Sequence, residues 1–113
     1  MYSRVIAFLA LLLAACAGYA QPFPSKPVRI LIGFTAGSSI DVVVRIIGQK
    51  LSEIWSQPVI IDNRVGAGGN VAADAIAKAA PDGYMLLSPN AGIAISAAFY
   101  RKLPYDALKD LRP

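Results

Sequence analysis

From Val28 to Gly92 the chain alternates short apolar runs with longer segments in which apolar residues recur every three or four positions. The runs are Val28-Arg29-Ile30-Leu31-Ile32-Gly33-Phe34, Val59-Ile60-Ile61-Asp62 and Tyr84-Met85-Leu86-Leu87-Ser88. Near-continuous apolar runs predict buried strands of a parallel sheet. Between the first two, Ile40, Val43, Val44, Ile47, Leu51, Ile54 and Trp55 recur at helical spacing. That pattern predicts one apolar face of an α-helix, with Arg45, Gln49, Lys50, Ser52 and Glu53 mainly on the other side. Ser38 and Asp41 have capping-box spacing at its start. Ser56-Gln57-Pro58 ends it, because proline disfavours helical backbone in the residue before it. An alanine-rich helix over Val71–Ala80 turns Ile76 inward and closes at Pro81-Asp82-Gly83. A third helix is expected from about Ile93 to Tyr100. The order β-α-β-α-β-α predicts an α/β fold of parallel strands joined by helical crossovers.

The front of the chain follows a different rule. Arg4 precedes Val5–Ala15, which carries no charge, and small residues continue to Ala20. One basic residue, an apolar core and a small-residue end are the parts of a secretory signal. A spanning helix needs about 20 apolar residues. This run reaches Ala20 only by including Cys16, Gly18 and Tyr19, and Gln21-Pro22-Phe23-Pro24 follows. Residues 1–20 are therefore expected to be a signal peptide, and residues 21–113 the folded part. Two processing routes are open. Gly18-Tyr19-Ala20 suits cleavage after Ala20, whereas Leu13-Ala14-Ala15-Cys16 resembles a lipobox that would acylate Cys16 and tether the chain to a membrane surface.

Composition then removes function classes. The chain has no histidine and one cysteine, Cys16, so no intramolecular disulfide can form. Histidine-based triads, histidine metal sites and, once Cys16 is set aside with the signal, thiol catalysis are excluded. No enzyme activity, metal or cofactor is expected. Without Arg4, ten basic residues face seven carboxylates, and only Arg101-Lys102 are adjacent. Nucleic-acid binders cluster such residues on one face, so nucleic acid is not an expected partner. A mildly positive field suits an anionic solute.

In open α/β sheets ligands bind beyond the carboxyl ends of the strands. Thr35–Ser39, Asn63–Asn70 and Pro89–Gly92 leave those ends, lack bulky side chains and precede helices. Amide groups at a helix start, with the macrodipole behind them, favour carboxylates and phosphates. Turn and cap chemistry alone also accounts for such loops, so Ser38 and Asp41 are either a plain helix cap or part of a site. The glycine-rich stretch Gly66–Asn70 matches only the first two glycines of a dinucleotide fingerprint, with Val71 in the sixth position.

Phe23-Pro24-Ser25-Lys26-Pro27, Asp62–Asn70, Ala77–Tyr84 and Tyr100–Asp106 fall in one order along the chain. In these motifs the chain resembles the Bug-type extracytoplasmic substrate-binding proteins of tripartite tricarboxylate transporters. The resemblance implies a two-lobed periplasmic-binding-protein type II fold, of which this chain is expected to be a partial first lobe, an N-terminal fragment. It implies a small mono- or dicarboxylate in the cleft, membrane permease subunits as partners and a periplasmic location. It carries ligand binding over to Phe34, Ala36, Gly37, Ser38, Ser39 and Asp41, and to Asn90, Gly92 and Ile93. Gly33 and Gly37-Ser38 depart from the family's loop pattern of proline and paired glycines, and Ile93 from a position often polar. Half a cleft is not expected to bind usefully alone, and uncovered apolar surface is expected to favour aggregation. The alternative is an exported module without a transport role, or a non-functional fragment.

Overall fold

The computed structural model describes residues 22–112. The expected signal segment and Cys16 lie outside the described residues. Seven elements follow one another within them: β1 (Val28–Ile32), α1 (Ser39–Trp55), β2 (Val59–Asn63), a 3-10 turn (Ala67–Gly69), α2 (Asn70–Ala77), β3 (Met85–Leu87) and α3 (Ala91–Phe99). The strands form one parallel sheet in the order β2-β1-β3.

β1 lies at the centre because it is the most apolar strand. Val28, Leu31 and Ile32 are wholly buried, and each such side chain contributes about 1.5–3 kcal/mol. Side chains alternate between the sheet faces. Ile30 and Ile32 pack with Val59 and Ile61 under Ile40 and Val44 of α1. On the other face Leu87 packs with Ala73, Ile93, Tyr105 and Leu103, so α2, α3 and the segment after α3 cover that side.

α1 is present as its spacing predicts, but its buried face is rotated. Val43, Ile47 and Ile54, expected inward, are exposed at 53%, 49% and 70%. The inward line is Asp41, Val44 and Gly48. Two contacts account for the rotation. Asp41 turns in to bind the preceding loop and β2. Gly48 lets the helix come close: a Cβ there would lie 3.1 Å from Ile61 Cδ1 and 3.3 Å from Val59 Cγ1. α1 ends with Ser56 in the left-handed region at φ 52°.

The later elements shift by a few residues. β1 stops at Ile32 because Gly33 already lies against the second loop. α2 ends at Ala77, and Ile76 is half-buried rather than inward. It lines a groove of about 830 Å³ beside β3, together with Ala80, Met85 and Leu86. Leu86 shares a sheet face with Ile30 and is 39% exposed, because α1 covers β1 and β2 but not β3.

At the amino-terminal end of the sheet the lead-in segment is clasped to the turn before β3. The Phe23 and Tyr84 rings stand 5.0 Å apart, and Lys26 Nζ lies 4.3 Å from the Tyr84 ring centroid. Ser25 N–H donates to Tyr84 Oη at 2.9 Å, and Lys26 pairs with Asp82 at 3.3 Å.

Candidate functional site

Parallel pairing carries all three strands to one end, where the loops after Ile32, Asn63 and Leu87 emerge together. Glycine makes the meeting possible. A Cβ on Gly33 would lie 2.5 Å from Gly69 Cα, and one on Gly92 would lie 2.5 Å from the Gly68 carbonyl oxygen. Any larger residue would push the first and third loops off the second.

The first loop is held from below by Asp41. Its carboxylate accepts from Gly37 N–H at 2.9 Å, from Arg45 Nε at 2.9 Å and from Asn63 Nδ2 at 2.9 Å. Asn63 Nδ2 also donates to the Phe34 carbonyl at 3.0 Å, and Arg45 reaches Asn63 Oδ1 at 3.1 Å. These donors, Arg45 first and Gly37 next, pull the Asp41 pKa down to about 2. Ser38 caps α1 by accepting from Asp41 N–H at 3.4 Å. The predicted capping box is thus altered: Asp41 reaches back to Gly37 instead of Ser38. At 2% exposure Asp41 presents no open carboxylate to a solute. It holds the loop so that Phe34, Ala36, Gly37 and Ser39 stand exposed and Ser38 half-exposed. The amide groups of Ser39 and Ile40 open α1, where a helix cannot satisfy its own donors.

The third loop is capped by Asn90, whose Oδ1 accepts from Ile93 N–H at 3.1 Å. Asn90 Nδ2 is buried and unpartnered, and lies near Gly33 and Gly69. Gly92 is half-buried above Gly68. Ile93 points the other way: its side chain is 8% exposed and packs with Ala73 and Tyr105. The nine residues singled out from the sequence therefore form two groups. Phe34, Ala36, Gly37, Ser38, Ser39 and Asp41 surround the start of α1, and Asn90, Gly92 and Ile93 surround the start of α3. The groups meet through Gly33 and the second loop.

Several residues at this end were not singled out by the sequence reading. Arg45 and Asn63 complete the clamp on the first loop. Asn70, Ser96 and Tyr105 form a buried polar triad behind the second and third loops. The signal for Arg45 was its position four residues after Asp41. Asn63 carried one too, as a polar residue ending an apolar strand. The triad joins residues 26 and 35 positions apart and had no local signal. Among the described residues no group of three carboxylates or cysteines could hold a metal ion, and no helix is long and apolar enough to cross a membrane.

Short loops of small residues, two capped helix starts and a parallel sheet define an open α/β lobe with its loops gathered at one end of the sheet. Residues 43–113 match the sequence model of the tripartite tricarboxylate transporter family receptor, and the chain belongs to that family. It is similar to a UPF0065 protein of Bordetella bronchiseptica, with 44% identity over 110 residues, covering 96% of this chain and 33% of that protein. It is also similar to the periplasmic binding protein BugD, with TM-score 0.75 and 30% identity, over 80% of this chain and 30% of that one. MatC of Rhodopseudomonas palustris with bound malate gives TM-score 0.73 and 36% identity, over 80% of this chain and 31% of that one. The chain spans about a third of the length of these relatives. The family is one of Bug-type solute-binding receptors rather than enzymes, and the fold corresponds to part of one periplasmic-binding-protein lobe.

Proposed function

We propose that this chain supplies one wall of the cleft of a periplasmic receptor, which captures a small mono- or dicarboxylate for membrane permease subunits of a tripartite transporter. Residues 1–20 export it, and residues 21–113 form the lobe. The observation that carries this reading is the joining of two capped helix starts through three glycine-lined loops at one sheet end. The malate bound to MatC supports a carboxylate as the solute. The amide groups of Ser39 and Gly92 and the Asn90 side chain meet the carboxylate, with Phe34, Ala36, Gly37 and Ser38 shaping the first loop. Asp41 and Ile93 act from behind, through Gly37 and Asn90.

One helix start contributes about 0.3–1 kcal/mol when exposed and about 2 when partly buried. Micromolar affinity needs about 8 kcal/mol. This chain alone should therefore bind malate only at millimolar concentration. A titration followed by amide chemical shifts tests the site. Malate is expected to move the Ser39, Ile40 and Gly92 resonances, and uniform small shifts over the whole surface would count against it. Ser39→Pro sharpens the test. It removes one N–H at the first helical position, where proline is tolerated, and should weaken those shifts without unfolding α1. The mass of the exported chain tests the leader: a start at Gln21 or at acylated Cys16 supports export, and an intact Met1 overturns it.

A further inference from the structure

Asn70 is the first residue of α2 and is 7% exposed. Its Nδ2 donates to the Ala67 carbonyl at 2.6 Å and to Ser96 Oγ at 2.7 Å, and its Oδ1 accepts from Tyr105 Oη at 2.6 Å. Ser96 and Tyr105 are 5% and 7% exposed. A carbonyl oxygen only accepts, so the side of the amide facing Ala67 must be the NH2 group. That fixes the orientation and makes Tyr105 the donor to Oδ1. Ala67, Gly68 and Gly69 all have positive φ, at 47°, 66° and 95°. This turn is strained at Ala67 and is held by the Asn70 side chain. The same side chain grips α3 through Ser96 and the segment after α3 through Tyr105. The Gly68 carbonyl faces Gly92, so the turn and the third loop touch directly.

We infer that Asn70, Ser96 and Tyr105 are positioning residues whose buried triad makes the second and third loops one unit and so sets where Asn90 and Gly92 meet a solute. Its consequence for binding rests on the proposed carboxylate site; the locking of the loops does not. Two protected amides report the lock, Gly69 N–H on the Gly66 carbonyl and Ile93 N–H on Asn90.

Hydrogen exchange at both amides in the full chain tests it. Tyr105→Phe touches neither amide, yet should speed exchange at Gly69 and Ile93 together, by about tenfold. Asn70→Asp keeps the shape but sets an anion against the Ala67 carbonyl, and should do more. Ser96→Ala is a milder second variant should Asn70→Asp not fold. Ser96→Thr retains the hydroxyl and should restore wild-type exchange. Leu103→Ala, a packing change in the same cluster, should lower the melting temperature without the paired change at the two amides. Unchanged exchange in Tyr105→Phe, or the same paired change in Leu103→Ala, overturns the inference. Amide shifts with malate are read in parallel. If wild type shows none, the carboxylate reading fails while the exchange result still decides the lock. If wild type responds, Tyr105→Phe should reduce the shifts at Gly92 several-fold.

Discussion

Asp41 shows how one charged side chain can organise a loop without meeting a solute. Its partners all favour the ionised form, which is why its pKa lies at about 2 rather than near the usual 3.9. A carboxylate with a lowered folded pKa adds stability that is fully present above the unfolded pKa. That stability is lost as pH falls through the folded value. Thermal unfolding should therefore separate wild type from Asp41→Asn above pH 4, with the gap closing toward pH 2. A gap that is independent of pH would mean that shape, not charge, holds the loop. Ser56 makes a second prediction at this scale. It is exposed and left-handed at the end of α1, a conformation that costs non-glycine residues about 1–2 kcal/mol. Ser56→Gly should raise stability by about 0.5–1 kcal/mol after the entropy lost by glycine, as read from denaturant unfolding. Local chemistry of this sort was legible beforehand. The Ser38 cap and the stop before Pro58 both come from near neighbours. The Asn63 bond to Phe34 was not, because its partners lie 29 positions apart.

Among the elements, α1 marks the limit of periodicity. Its apolar residues cover more than one face, so spacing predicted the helix but not its rotation. The rotation was decided by Asp41 turning inward and by close approach at Gly48, both tertiary effects. Paired substitutions check this. Ile54→Lys should change stability by no more than about 0.5 kcal/mol, as for an exposed site. Leu31→Ala in the wholly buried centre of β1 should cost about 2–5 kcal/mol. Equal costs would place Ile54 in the core after all. The strands were legible because their runs are short and continuous and glycine or proline bounds them. Their parallel direction followed from the helices between them, whereas the order β2-β1-β3 came only with the structure.

For the molecule as a whole, the open side of β3 dominates. Among the described residues Met85–Leu87 has one neighbour, Leu86 is partly exposed, and Val43, Ile47 and Ile54 leave apolar surface on α1. Unpaired strand edges and uncovered apolar surface promote association. Sedimentation should show mass rising with concentration, and Ile47→Lys with Leu86→Lys should suppress the rise; a monomer at all concentrations would show that this surface is inert. The relatives are about three times as long, so the lobe corresponds to one part of their fold, a likeness its own packing could not supply.

The clasp of Phe23, Lys26 and Tyr84 gives the lobe a polarity relative to any tether. It lies where the strands begin, opposite the loops of the proposed site. Were the chain acylated at Cys16, five residues would lie between it and Pro22, a reach of about 20 Å at full stretch. The clasp would then act as a mooring point. The lobe would stand with its strand origins toward the bilayer and its loops turned away from it, so the proposed site would open on the side away from the membrane. On the proposed receptor role, delivery to a permease would then require the lobe to swing on that short leash.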